Sequence, residues 1–320
     1  MIRYVTKRLI QAAVTLWAIV TLVFLFMRLL PVEGYFPEYD RMDETQIQAA
    51  LTSMGLDAPI GVQLGRFYGS LLRGDLGESL IYRPHVKVAQ IIAEKAPVSI
   101  AMGLSAMALS LAAGIPLGIA MAQGGWAGRP AGWLVVFLTA VPSAVYHLFL
   151  QLYGTAALGL PMLFSAENPA SWILPVVSMS LGGMAFYALW LKRYMADEAG
   201  RDYVRLARAK GLPPGTVTRR HVLRCAVIPL AQYLPTALLT TLAGSVYVES
   251  LYSVPGMGGL LVEVIRRQDP VMVQALVLIY SALGVVGLLL GDLLMAALDP
   301  RVRLAGPERQ GKGGGYDGEG

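Results

Sequence analysis

The sequence predicts an all-α integral membrane protein: six transmembrane helices, a small extracytoplasmic domain after the first, and a basic cytoplasmic loop between the fourth and fifth. Three observations carry this fold class. Hydrophobic residues make up 55% of the chain and charged residues 15%, far from the balance of an ordinary soluble domain. The apolar residues gather into runs of bilayer-spanning length, roughly 20 residues each. The charges are sorted by sign between the connecting segments, as the preference of basic residues for the cytoplasmic side requires.

The first run, Leu9 to Met27, follows Arg3, Lys7 and Arg8. It is too long for a secretory signal, and Arg28-Leu29-Leu30-Pro31 offers no small-residue cleavage site, so residues 1–30 read as a cytoplasmic N-terminus and a retained first span. Arg28 then snorkels to the opposite interface. From 31 to 95 acidic residues outnumber basic ones, as expected outside the cytoplasm. Within that stretch Thr45 to Met54 reads as one short helix. Gln63 to Leu72 reads as another, with Leu64, Phe67, Tyr68, Leu71 and Leu72 on a packing face.

The membrane core runs from 96 to 303. Ala96 to Gly128 holds a second span with a turn at Gly124-Gly125, and Gly114 and Gly118 are spaced for close helix contact. A third span starts at Pro130 and ends near Gly154; a fourth runs from Ser171 to Leu191. The fifth, Ala226 to Val248, is interrupted by Pro229 and Pro235 and delivers Glu249 to the outer side. The sixth, Val271 to Leu298, carries a close-packing face from Gly284 to Gly291. Residues 304–320 are Gly-rich and charged and read as a disordered cytoplasmic tail.

Two polar residues fall inside spans. A lone His147 is more often a hydrogen-bonded packing residue than a proton carrier. An unpaired Asp292 would cost roughly 2.5–3.5 kcal/mol in the membrane, so it reads as a clasp between helices before it reads as a substrate ligand.

The loop at 192–224 organises the chain. It holds Lys192, Arg193, Arg201, Arg205, Arg208, Lys210, Arg219, Arg220 and Arg224 against Asp197, Glu198 and Asp202. This is the strongest orientation signal present, and with four spans before it both termini lie in the cytoplasm. Ala199 to Lys210 is helical in pattern: Ala199, Tyr203, Leu206 and Ala207 share one face, and Arg201, Arg205 and Arg208 another. Gly211 stops the helix and Pro213-Pro214 forbids its continuation. On loop chemistry alone, a lipid-facing basic helix and a docking surface fit equally.

Several function classes drop out. Cys225 is the single cysteine, and His85, His147 and His221 make no metal-ligand spacing. No GxxxxGK[ST] phosphate loop occurs, so the chain is not expected to hydrolyse ATP itself. Its basic residues lie beside apolar spans rather than among exposed aromatics, which does not describe a nucleic-acid partner. Neither midplane coupling carboxylates nor clear internal repeats mark an ion-coupled secondary transporter.

The residues also carry a resemblance. DYVRLARAKGL, followed by Arg219, Arg220, His221 and Leu223-Arg224, resembles the cytoplasmic coupling loop of ABC-transporter permeases, in the branch that imports oligopeptides, dipeptides and nickel. The family's Glu-Ala-Ala, with Gly four residues on, is matched here by Arg205, Leu206, Ala207 and Gly211; the Glu and first Ala are absent. GLDAPIGVQLGRFYGSLLRGDLGESL and VESLYSVPGMGGLLVEVIRRQDPVMVQ are similar to that branch's external segments after the first and fifth spans, and LDPRVR closes the last span as it does there.

The resemblance implies a permease subunit of an ATP-driven importer in a prokaryotic inner membrane. Its partners would be a second homologous permease, two cytoplasmic ATPases that hold the ATP and magnesium, an external substrate-binding protein and membrane lipid. No cofactor is expected in this chain. Tyr203, Arg205, Leu206, Ala207, Arg208, Lys210 and Gly211 would form the ATPase-coupling site. Peptides are the implied substrates, with nickel or metal chelates as the alternative.

Overall fold

The computed structural model describes residues 2–29, 42–53, 55–242 and 244–298. The expected tail at 304–320, most of LDPRVR and the acidic residues of 31–41 lie outside the described residues. Among the latter the chain is helical almost throughout. Its longer helices are α1 (Ile2–Arg28), α2 (Glu44–Ser53), α3 (Ile60–Leu72), α4 (Val88–Gln123), α5 (Gly125–Ala140), α6 (Ser143–Leu158) and α7 (Ile173–Ala199). They continue with α8 (Asp202–Ala209), α9 (Pro214–Val217), α10 (Arg224–Ala231), α11 (Leu234–Leu242), α12 (Val246–Leu251), α13 (Met257–Arg266) and α14 (Pro270–Leu298).

Among the described residues four helices are long and apolar enough to cross a membrane: α1, α4, α7 with the 3-10 turn before it, and α14. Two bent pairs raise the number to six if each pair is one span. The pair α5 and α6 departs from the single third span expected from Pro130 to Gly154, because its axis turns by 110°. The cause is Pro142, which lacks an N–H to continue α5 and pushes the residue before it out of the helical region; Val141 is extended, at φ −84° and ψ 132°. The fifth span is also divided, α10 and the turns before it meeting α11 and α12 at 46°.

Two helices overrun their expected ends. α4 begins at Val88, so it passes unbroken through Glu94 and Lys95 and across the 95/96 boundary, and α7 continues past Lys192 and Arg193 to Ala199. Charge marks where an apolar span meets water, but it does not stop backbone hydrogen bonding.

Small residues bring the helices together, as they must where the lipid supplies no hydrophobic contrast. A Cβ added at Gly114 would lie 2.8 Å from the Met184 carbonyl oxygen, and one at Gly118 2.9 Å from that of Ala188, so α4 and α7 touch backbone to backbone. On α14, Gly287 meets the Thr236 backbone and Gly291 the Gln232 carbonyl, while Gly284 of the same run faces open space. α1 buries only Val20 and Phe24 of its described side chains, and it packs chiefly on α14.

Outside the bundle α3 leans on the end of α1. Phe67 stacks on Phe24 with centroids 5.3 Å apart, Tyr68 and Thr21 share a 2.7 Å hydrogen bond, and Arg28 donates to Gln63. The packing face expected on α3 is narrower than its sequence suggested: Leu72 is 87% exposed, because the chain turns away at Arg73-Gly74.

Candidate functional site

The basic segment folds into a compact knob on the end of α7. After Ala199 the helix breaks at Gly200, Arg201 is extended, and α8 starts with Asp202 in its first turn and Arg208 in its last, the arrangement its dipole favours. Gly211 takes φ +76°, a left-handed conformation that costs glycine least, and its N–H returns to the Arg208 carbonyl at 2.9 Å. The chain re-enters through α9 and one π-helical stretch, Thr218–Leu223, before α10.

One apolar core runs through this knob and into the membrane helices on either side. Val204 and Ala207 of α8, Val217, and Val222 pack with Tyr187, Leu191 and Met195 of α7 and with Ala226 and Leu230 of α10. α8 is therefore bolted to two spans at once. What it turns outward is Leu206, 56% exposed, among the exposed Arg205, Arg208 and Lys210, with Tyr203 at the edge. Arg219, Arg220 and Arg224 are also exposed. Arg205 reaches Asp202 at 3.5 Å, a pair open to water on both sides that contributes little.

The expected stripe of Ala199, Tyr203, Leu206 and Ala207 is thus corrected. Ala207 is buried at 4% exposure and belongs to the inward face, which it shares with Val204, three residues earlier. In an eight-residue helix the apolar positions fit two phases, and the docked core on Val217 and Met195 selects the one that hides Ala207. Tyr203 donates its hydroxyl to Glu198 on α7. Partial burial and then that hydrogen bond hold its phenol well above the ordinary tyrosine range.

The two polar residues expected within spans lie in unrelated surroundings. Asp292 meets Arg8 of α1 at 3.1 Å and the Gln232 amide at 3.2 Å, which ties α1, α14 and the α10–α11 junction together. His147 is buried on α6 with its ring edge-on to Tyr146 at 4.7 Å and near Tyr247 at 5.8 Å; its Nδ1 has no hydrogen-bond partner among the described residues.

Two buried carboxylates escaped the sequence reading. Glu249, expected at the outer surface, is wholly buried and accepts the Ser99 hydroxyl and the N–H groups of Ser245, Gly258 and Gly259. Asp269, also wholly buried, accepts the Met272 N–H at the start of α14 and the Ser79 hydroxyl, Ile81 N–H and Tyr82 N–H of the loop before α4. An Asp before Pro270 and an apolar run is a legible helix-start signal; nothing near Glu249 pointed to Ser99.

The knob's geometry, a short amphipathic helix rigidly mounted between two spans, can now be set beside known proteins. Residues 114–304 match the family model described as binding-protein-dependent transport system inner membrane component. The chain belongs to this family. Over 95% of its length it is 32% identical to the dipeptide transport system permease protein DppB of Lactococcus lactis, all of which is covered. It is 30% identical to DppB of Bacillus subtilis, again over 95% of this chain and 99% of the relative. The glutathione transport system permease protein GsiC of Pectobacterium atrosepticum is 32% identical over 95% of this chain and 99% of its own.

Among solved structures, a chain of the MetNI methionine ABC transporter in an inward-facing form aligns with a TM-score of 0.52 and 15% identity, covering 66% of this chain and 97% of that one. That likeness is one of fold. The protein is a multi-pass inner membrane permease subunit of an ABC importer. The family match spans the close-packed α4–α7 pair from Gly114 onward, the whole of the basic knob, and α14.

Proposed function

We propose that this permease imports short peptides, pairing with a second homologous permease, and that its basic knob is where a cytoplasmic ATPase docks. The observation that carries the docking reading is Leu206: an apolar side chain more than half exposed, on a helix that also exposes Arg205, Arg208 and Lys210 and whose inward face is locked into α7 and α10. Exposed leucine within a cationic rim suits a partner cleft better than bulk water. The peptide reading is supported by the dipeptide and glutathione permeases that this chain resembles over nearly its full length.

In this reading two ATPases hold ATP and Mg²⁺, an external binding protein delivers substrate to the side of α3 and α13, and each bent helix pair counts as one span. Six spans then separate two cytoplasmic termini, with residues 31–95 outside, 192–224 inside and 304–320 as an inside tail. Closure of the ATPases would push α8, and the shared core would carry the push to α7 and α10 together, biasing the path towards one side of the membrane.

The test replaces Leu206 with Asp and leaves Ala207 alone, because burying an aspartate at 207 would damage the knob itself. The expected result is loss of ATPase co-purification and of ATP-driven dipeptide uptake in proteoliposomes, with thermal unfolding of the permease unchanged. Survival of both would reduce the knob to a lipid-facing basic helix.

A further inference from the structure

At the outer end of the bundle, between the start of α4 and the α12–α13 turn, lies a cavity of about 350 Å³. Lys95, Gly256, Gly259, Glu263 and Arg266 line it, with Glu249 beneath. That volume suits a small ligand rather than a protein segment.

The charges around it are unevenly matched. Lys95 is half-buried and Arg266 exposed, and neither makes an ion pair or hydrogen bond among the described residues. The carboxylates that could have neutralised them are engaged elsewhere. Glu94 is held by Arg83, and Glu249 is saturated by the Ser99 hydroxyl and three backbone N–H groups. Glu263 is tied to Arg267 at 2.7 Å and lies beside the Tyr82 hydroxyl, so it too is answered. The cavity therefore presents two cations that no carboxylate pairs. Carboxylates bind Lys and Arg through strong charge-assisted hydrogen bonds.

We infer that this cavity is a subsite for short peptides, the free C-terminal carboxylate held by Lys95 and Arg266. This rests on the reading of the substrate as a peptide. The subsite belongs to the permease itself, so it selects for a free C-terminus independently of the binding protein.

The test uses the assembled transporter in lipid nanodiscs, without ATP or binding protein, and saturation-transfer NMR with trialanine as the probe. Trialanine should bind, and trialanine amide should bind about tenfold more weakly, the size expected for losing a charge-assisted hydrogen bond. Lys95→Gln and Arg266→Gln should each weaken trialanine to a similar degree, while Lys95→Arg preserves it. Equal affinity for acid and amide, or unchanged affinity in both glutamine variants, would overturn the subsite. ATP-driven trialanine uptake by the wild type is measured in parallel. Uptake with variant-insensitive binding removes the subsite and leaves the peptide reading standing. Absence of uptake of any di- or tripeptide removes the peptide reading, while carboxylate-dependent binding still supports the cavity as a site for that chemistry.

Discussion

Ser99 of α4 donates its hydroxyl to Glu249 of α12 over 2.8 Å, and the same oxygen accepts the Met257 N–H that opens α13 at 2.7 Å. With Ser245, Gly258 and Gly259 also donating to Glu249, a single buried carboxylate gathers the backbone of two short helices against a long one. The turn is built tightly around it: a Cβ on Gly256 would collide with the Glu249 carboxylate and the Ser99 hydroxyl.

Glu249→Gln places an amide NH₂ among groups that already donate, leaving at least one buried donor unpaired. It should destabilise the fold by about 2 kcal/mol. Gly256→Ala should be at least as damaging, through displacement of the carboxylate. Thermal unfolding of the purified protein in detergent checks both; a shift for neither would show that the cluster contributes nothing to stability.

The α4–α7 contact depends on two missing side chains. Gly114→Leu or Gly118→Leu should separate the helices and sharply lower the yield of folded protein, whereas Gly132→Leu, at a position with open space around it, should be tolerated. Size-exclusion profiles of the membrane-extracted variants discriminate the two classes.

Arg8 and Asp292 join α1 to α14. Asp292→Arg alone opposes two cations and should loosen α1, raising its protease sensitivity. Combining it with Arg8→Asp should restore much of the loss, a coupling of about 1 kcal/mol in a double-mutant cycle. Additive effects would mean that the pair is incidental.

The Tyr203 phenol is held above its ordinary range, so the folded knob keeps a proton that the unfolded chain releases above about pH 10. The sign follows: this stability is complete below about pH 10 and is lost as pH rises towards the folded-state value. Tyr203→Phe removes the titration, and its unfolding temperature should fall less steeply with alkaline pH than that of the wild type. Identical slopes would mean that Tyr203 stays protonated in both states over the range.

The features legible in the sequence were those that depend on neighbours along the chain. Apolar runs announced α1, α4, α7 and α14, the spacing of Gly114 and Gly118 announced their contact, and Gly211 announced the end of α8. The 110° turn between α5 and α6 was also local, since Pro142 causes it, but one proline does not say whether a helix bends slightly or folds back. Val204 and Ala207 were assigned to their faces only by a core assembled from α7 and α10. Ser99 and Glu249 stand 150 residues apart, and no periodicity links a serine in one span to a glutamate after another. The site divides in the same way: its charges are visible in the sequence, but the exposure of Leu206 and the unanswered Lys95 depend on tertiary packing.

The pairing of α1 with α14 has a consequence for biosynthesis. α1 leaves the ribosome well before its principal neighbour, the last span described, and at synthesis rates of about 5–20 residues per second it waits tens of seconds for Asp292 to arrive. Through that interval Gln11, Ala12 and Thr15, which share a pocket with Val285 and Leu289 of α14, have only lipid or a chaperone to meet, and Arg8 has no carboxylate from α14. Closure of the bundle between these two helices is thus a late event of assembly, completed once translation has passed Asp292.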